Sequence, residues 1–498
     1  MKLLTGEIIG LKAKLIEVEV GVLSGLHSFN IVGLADKSIN EAKERISMAI
    51  KNIGAKPPLQ FPKKIIVNLA PADIKKEGTH YDLAISLGFL QATYQIKVNL
   101  KNKVFVGELG LDGTVRKIKG ALAYVLMAKE LGIEEIYLPQ DNQKEVKFID
   151  GIKIFPISHL KEVIDHLENK QRLLPLEPEE PLIQWPEENF YSFIKGLEYF
   201  KRIIQIVAGG GHHLLLFGPP GTGKSILAQA IKDILPPLDF ESALEVTLIH
   251  SIYGELDSLT FNPPFRSPHH SSSEIAILGG GQKPKAGEIT LAHQGVLFLD
   301  ELPEFSRKVL EGLREPLENG WIVISRAKEK IKLPAKFILV AAMNPCPCGW
   351  YGDNQKECRC SYQEIKKYQK KISGPILDRF DIFVNLPRLE PEKIFEKNLP
   401  TDIEEIRQKI LKVRQLQLER QKKLNRDLNL KEIEKFISLT SEEKQFLTFA
   451  AEKLKLSPRA IHKILKLART LADFEEKEKV EFEHLQEALS FRQIEFFE

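Results

Sequence analysis

The chain has 498 residues, 43% of them hydrophobic and 28% charged, with a formal net charge of +3. That length exceeds what one core organises and predicts about three domains; the near-neutral charge excludes a wholesale polyanion binder, so any nucleic-acid contact must come from local patches. No apolar run reaches the length of a membrane span and Met1 to Glu7 lacks the apolar core of a signal peptide, which predicts a cytoplasmic protein with no membrane partner.

Residues 1–172 alternate strand-like runs (Leu15 to Val20, Ile65 to Leu69, Lys103 to Leu109) with helical patterns (Asp36 to Asn52, Tyr81 to Leu90, Ala121 to Leu131), a mixed α/β pattern. The stretch from Val106 to Val115, continuing through Ala121 to Leu138, resembles the proteolytic domain of Lon-type proteases, a ribosomal-protein-S5-like α+β fold. That resemblance would put a nucleophilic serine where this chain has Gly78-Thr79-His80, and a partner lysine near Leu122. Neither is present, so a non-proteolytic domain used for assembly or substrate contact is expected. Residues 173–188 hold Pro175, Pro178, Pro181 and Pro186 without any period and read as a linker.

An amphipathic helical pattern resumes from Gly196 to Ile206 and leads into the stretch that organises the chain. Leu214 to Phe217 reads as a buried strand, Gly218-Pro219-Pro220-Gly221-Thr222-Gly223-Lys224-Ser225 as a glycine-rich turn, and Ser225 to Ile231 as the helix it opens. This is a phosphate-binding loop. Its backbone N–H groups turn toward phosphate oxygens, Lys224 reaches the β/γ-phosphates of ATP, and Ser225 offers a hydroxyl to Mg²⁺. A second apolar strand, Gly295 to Leu299, ends in Asp300-Glu301, where Asp300 can hold Mg²⁺ through water and Glu301 can polarise an attacking water. Between them lies an insertion with Phe265-Arg266-Ser267-Pro268-His269-His270 and Gly279-Gly280-Gly281. Adjacent histidines diverge and no third ligand is near, which favours a structural or substrate-loop role over a metal pair.

Trp321 to Lys336 alternates and carries five basic residues against one acid. Two interpretations stand: a DNA contact through Arg326, Lys328, Lys330 and Lys332, or a solvated edge strand protected by lysine. Phe337 to Met343 is a third strand, and Asn344 at its tip either positions the water beside the γ-phosphate or is a turn residue before Pro345. All four cysteines fall in Cys346, Cys348, Cys358 and Cys360. They can surround one tetrahedral Zn²⁺ in a reducing compartment, with free thiols or a redox pair as the alternatives. Arg379 and Arg459 offer planar, permanent positive charge for phosphoryl transfer; taken alone, either reads first as a surface ion pair. Past residue 399 the pattern is helical to the end, with charged periodicity from Asp402 to Asn425, a Thr440 to Glu443 capping box, and Ser457-Pro458 as a helix start.

The order of Gly218 to Ser225, Asp300-Glu301, Asn344, Leu377-Asp378-Arg379-Phe380 and Ser457-Pro458-Arg459 resembles an AAA+ ATPase of the magnesium-chelatase-like branch. With the Lon-like segment, Pro264 to His270, Asn344 to Gly349 and Ser373 to Arg379 added, the whole chain is similar to the YifB/ComM family of that branch. The resemblance implies a parallel-sheet core at 189–398 with inserted β-hairpins and a cysteine loop at 346–360, followed by a helical lid at 399–498. It also implies Arg379 as an arginine finger reaching a neighbouring subunit's ATP, and Arg459 as a second sensor acting in cis or in trans. The implied assembly is a homo-hexamer that hydrolyses ATP to drive DNA branch migration during uptake and recombination in natural transformation. The competing expectations are a motor subunit that helps insert Mg²⁺ into a porphyrin, and a remodelling ATPase acting on a protein partner.

Overall fold

Buried and half-exposed residues alternate along Lys12–Leu23 (β2), the period-two signature of a strand with one covered face. In the computed structural model it pairs antiparallel with Lys2–Ile9 (β1) and Lys64–Ala70 (β4). The structure describes residues 1–34, 36–186, 189–194, 198–256, 258–281, 285–325, 330–388 and 402–492. They form two units, Met1–Leu182 with Ala243–Thr260, and Ile183–Ser242 with Phe261–Glu498.

In the first unit, Ser28–Val32 (β3), Lys103–Phe105 (β5), Glu135–Pro139 (β8) and Lys153–Ile157 (β9) complete a mixed sheet of order β3-β4-β2-β1-β5-β8-β9. The helices Lys37–Asn52, Asp82–Ala92 and Ala121–Glu130 fall where the apolar periodicity puts them. The run from Lys103 to Leu109, expected as one strand, is instead broken at Gly107. Glu108–Leu109 (β6) there turns away to pair with Val115–Arg116 (β7). A Cβ on Gly107 would come within 2.6 Å of Val115, and its backbone bonds the start of the helix Asp82–Ala92 rather than the sheet. Within Ala243–Thr260, Leu244 and Leu248 pack beside the cluster of Leu122, Val125 and Ile136.

The second unit holds a five-stranded sheet, all parallel, of order β11-β12-β15-β10-β16: Leu214–Phe217 (β10), Phe265–Arg266 (β11), Val296–Leu299 (β12), Ile338–Met343 (β15) and Ile382–Asn385 (β16). β10, β12 and β15 are buried along their whole length, as parallel strands covered on both faces must be. Between β12 and β15 an antiparallel hairpin is added, Trp321–Ser325 (β13) with Lys330–Pro334 (β14). The core runs from Leu216, Val340 and Val384 of the sheet into Ile464 and Leu471 of the C-terminal helices. Those helices begin as their caps predict: Thr440 and Glu443 form a capping box before Ser441–Lys453, and Ser457 caps Pro458–Phe474. The amphipathic helix before the phosphate loop is described from Glu198 to Gly210; Gly196 lies outside the described residues. Phe217 pairs with both Met343 and Asn385, and Leu299 with Ala341. That register brings the phosphate loop, Asp300 and Asn344 out at one edge, the carboxyl ends of parallel strands, where open α/β sheets bind ligands.

Candidate functional site

Gly218, Gly221 and Gly223 have φ of 155°, 79° and 87°, and Gly218 approaches the Leu386 carbonyl so closely that a Cβ would stand 2.3 Å from it. Only glycine meets both demands. Lys224 opens the helix Lys224–Ile234 and folds back into the loop, donating to the carbonyls of Gly218 and Pro219 at 2.8 Å each and to Asn344 Oδ1 at 3.3 Å. Burial pushes its ammonium down to about 8, with Asp300 opposing the shift. The Ser225 hydroxyl donates to Asp300 Oδ2 at 3.2 Å, so a hydroxyl and a carboxylate converge as a magnesium-binding pair needs.

Asp300 Oδ1 accepts from the Glu301 backbone N–H at 2.9 Å, and Glu301 sits in the left-handed region with φ of 52°. For a glutamate that conformation costs about 1–2 kcal/mol. Its effect is to turn the side chain out of the strand direction at the tip of β12. The Glu301 carboxylate lies 3.1 Å from His270 Nδ1, while the His270 ring meets the edge of Phe305 and its centre lies 4.1 Å from that of His269, tilted by 34°. His270 is therefore a neighbour of the Asp300-Glu301 tip, a place that residue spacing alone does not reveal.

The four cysteine sulfurs lie within 4.8 Å of one another. Cys346 and Cys348 are 3.4 Å apart, and each is 3.6 Å from Cys358. A tetrahedral Zn²⁺ with about 2.3 Å bonds spaces its sulfurs by about 3.8 Å, so the donor set fits a metal. The loop leaves the sheet directly after Asn344, and Gly349 in it lies against the phosphate loop, where a Cβ would stand 2.8 Å from Pro220.

Arg379 and Arg459 converge elsewhere in the same unit. They line a cavity of about 750 Å³ with Glu318, His462, Lys463 and Lys466, and none of residues 218–225 lines it. Arg379 Nη2 donates to Glu318 Oε1 at 2.5 Å, and Arg459 Nη2 donates to the same oxygen. Lys463 ties the two segments together. Its Nζ donates to the carbonyl of Arg379 at 2.6 Å and to Asp381 Oδ1 at 2.6 Å. Burial alone would raise the Asp381 carboxyl, but Lys463 and His212 hold it well below the usual range.

Of the four expected DNA contacts, Lys330 and Lys332 are exposed on β14, with Lys332 4.1 Å from the centre of the Trp321 ring. Arg326 and Lys328 lie outside the described residues. In the first unit, Gly78 and Thr79 of the stretch matching a protease nucleophile are half-buried, and the Thr79 hydroxyl donates to Glu108. His80 is buried with Nε2 2.8 Å from the Gly6 carbonyl and its ring centre 4.2 Å from that of Tyr81, and Leu122, near the expected partner lysine, is fully buried. Burial lowers His80 to about 4, which leaves it neutral.

A parallel sheet of this order, with a phosphate loop, an Asp-Glu strand tip, a polar third-strand tip and a helical region after it, defines an AAA+ P-loop ATPase. The family model of magnesium chelatase subunit ChlI matches residues 191–394, that of the same subunit's C-terminal part residues 401–492, and a further ChlI model residues 18–142. The chain is 42% identical over 490 residues to the uncharacterized protein YifB of Escherichia coli, covering 98% of this chain and 96% of that protein. It is also 42% identical over 492 residues to competence protein ComM of Haemophilus influenzae, covering 97% and 95%. Lon protease 2 of Bacillus subtilis is 29% identical over 170 residues, 31% of this chain and 30% of that protein. The chain belongs to the YifB/ComM family of magnesium-chelatase-like AAA+ ATPases. Among the described residues no helix is long and apolar enough to cross a membrane.

Proposed function

We propose that this protein is a homo-hexameric ATPase that moves along DNA and drives branch migration in natural transformation and recombination. One observation carries the ATPase: Lys224, Ser225, Asp300, Glu301 and Asn344, spread over 120 positions, meet at one sheet edge. In this reading Lys224 and the loop amides hold the ATP phosphates, Ser225 and Asp300 hold Mg²⁺, Glu301 takes the proton of the attacking water, and Asn344 orients that water. Mg²⁺ held by Ser225 and Asp300 would neutralise negative charge on the phosphates. Arg379 and Arg459 complete a neighbouring subunit's site, which is supported by their shared carboxylate and by a cavity that their own phosphate loop does not line. Head-to-tail contacts between identical subunits close into rings, and oligomers are usual in this branch.

The DNA assignment is supported by the relative that is named a competence protein and by the exposed basic strand of the hairpin. Phosphate-backbone contacts carry little sequence preference, as travel over any sequence requires. Reversing Lys330 and Lys332 to glutamate should abolish stimulation of ATP hydrolysis by DNA and cut the salt slope of binding by about 2 for each subunit engaged. Basal hydrolysis should stay near wild type. ATPase rates without DNA, and with single-stranded, duplex and branched DNA, test the reading. A variant that binds DNA with an unchanged salt slope would reduce the hairpin to a protected edge. The chelatase-like models favour a second reading, a motor acting on a porphyrin-metallating partner; indifference to every DNA form in that assay would favour it.

The cysteine cluster is assigned to one structural Zn²⁺, held by Cys346, Cys348, Cys358 and Cys360. Elemental analysis of protein purified without added metal should find one ion per chain, lost in Cys346→Ser. A metal-free sample with all four thiols titrating freely would refute it.

A further inference from the structure

We propose that Glu318 is a positioning residue for the arginine pair, gathering Arg379 and Arg459 so that both address the same neighbouring phosphate. The inference rests on the reading of Arg379 and Arg459 as groups that complete another subunit's site. A single carboxylate oxygen of Glu318 accepts from both guanidinium groups, although the three residues are 61 and 141 positions apart in the chain. Arg379 is only 6% exposed, and its Nη1 donates to the Pro375 carbonyl at 3.0 Å while its Nε is buried without a partner among the described residues. Burial, and after it the neighbouring Arg459 charge, disfavour the Arg379 cation. Two guanidinium groups converging on one cavity repel each other, and Lys463 and Lys466 line the same space. Without the Glu318 carboxylate the pair would splay before any phosphate arrived to hold it. With it, the arginines wait side by side on an acceptor that a more highly charged γ-phosphate can outcompete.

The position of Glu318 in the chain adds to this role. It lies in the helix Arg314–Asn319, which ends at Gly320 and passes straight into β13. The Gly320 N–H donates to Pro316 and its carbonyl accepts from Ala335, both at 2.8 Å, so the base of the hairpin and the helix carrying Glu318 are bonded together. A displacement of the hairpin is thereby passed to the acceptor that holds the two arginines.

The test uses the full-length chain and four variants: Glu318→Gln, Glu318→Ala, Arg379→Ala and the double variant Glu318→Ala/Arg379→Ala. Glu318→Gln keeps the side-chain shape and removes the charge, and is expected to lower kcat about tenfold. Its affinity for a fluorescent ADP analogue and its melting temperature should match wild type, which a merely structural role would not predict. Because Glu318 acts through the arginines, Glu318→Ala should cost less in single-turnover hydrolysis when added to Arg379→Ala, where only Arg459 is left to hold, than when added to wild type. Wild-type kcat in Glu318→Gln beside an inactive Arg379→Ala overturns the Glu318 assignment alone, as do multiplying losses in the double variant. Wild-type hydrolysis by Arg379→Ala overturns the reading of the pair itself and the assignment with it.

Discussion

Glu301→Gln is expected to bind ATP and Mg²⁺ as wild type does and to hydrolyse ATP about 10²–10⁴-fold more slowly, the range lost with a general base. The substitution leaves everything that binds nucleotide in place. Lys224 keeps its contacts to Gly218, Pro219 and Asn344, and Ser225 keeps Asp300. An amide also fits where the carboxylate stands, half-exposed at the tip of β12, since the left-handed backbone at Glu301 is supported by the Asp300 side chain and not by its own. What is lost is the ability to take a proton from water. Lys224→Ala should fail earlier, losing nucleotide binding itself, because nothing else in the loop brings a full positive charge to the phosphates. Fluorescent-nucleotide titration beside phosphate-release kinetics separates the two defects. Hydrolysis by Glu301→Gln within a few-fold of wild type would transfer the base to another group, and His270, 3.1 Å from Glu301, would be the first to examine.

The residues that meet at the candidate site could be picked out because each belongs to a local pattern: an apolar strand of four to six residues followed by a polar tip or a glycine-rich loop. Asp300 and Asn344 directly follow strands that the hydrophobic runs mark, Lys224 follows its strand across the glycine-rich loop, and parallel register does the rest. The cysteines were legible for the same reason, since both pairs close a short loop. Residues whose partners are set only by tertiary packing were not legible. His270 meets Glu301 because β11 runs beside β12, and a two-residue strand leaves almost no periodic trace. Glu318 looks like any charged residue near a helix end; its role follows from two arginines brought in from the turn before β16 and from the C-terminal helices. Glycine carried both kinds of information. In the phosphate loop it announced a turn, whereas at Gly107 and Gly349 it marked close approach of another residue's side chain, which sequence alone cannot assign to a partner.

Mixing two inactive variants tests where the arginines act, and here the largest recovery is expected. Arg379→Ala should bind nucleotide normally and lose about 10³-fold or more in hydrolysis, the usual worth of an arginine finger. Glu301→Gln is inactive through its own site yet carries an intact finger. If Arg379 acts in trans, a site regains every part when an Arg379→Ala subunit receives the finger of a Glu301→Gln neighbour. In a randomly mixed ring at equal amounts, that arrangement occurs at about one interface in four, the product of two halves. Hydrolysis should therefore rise well above either parent and pass through a maximum near equal proportions. If Arg379 acts in cis, each subunit keeps its own lesion and no ratio recovers anything. The same logic decides Arg459, which shares the Glu318 oxygen with Arg379 and faces the same cavity. Arg459→Ala should recover when mixed with Glu301→Gln. It should not recover when mixed with Arg379→Ala, because every interface then receives both arginines from one donor, and each donor lacks one of them. Recovery in that last mixture would separate the two arginines onto different sites and break the pairing that Glu318 makes.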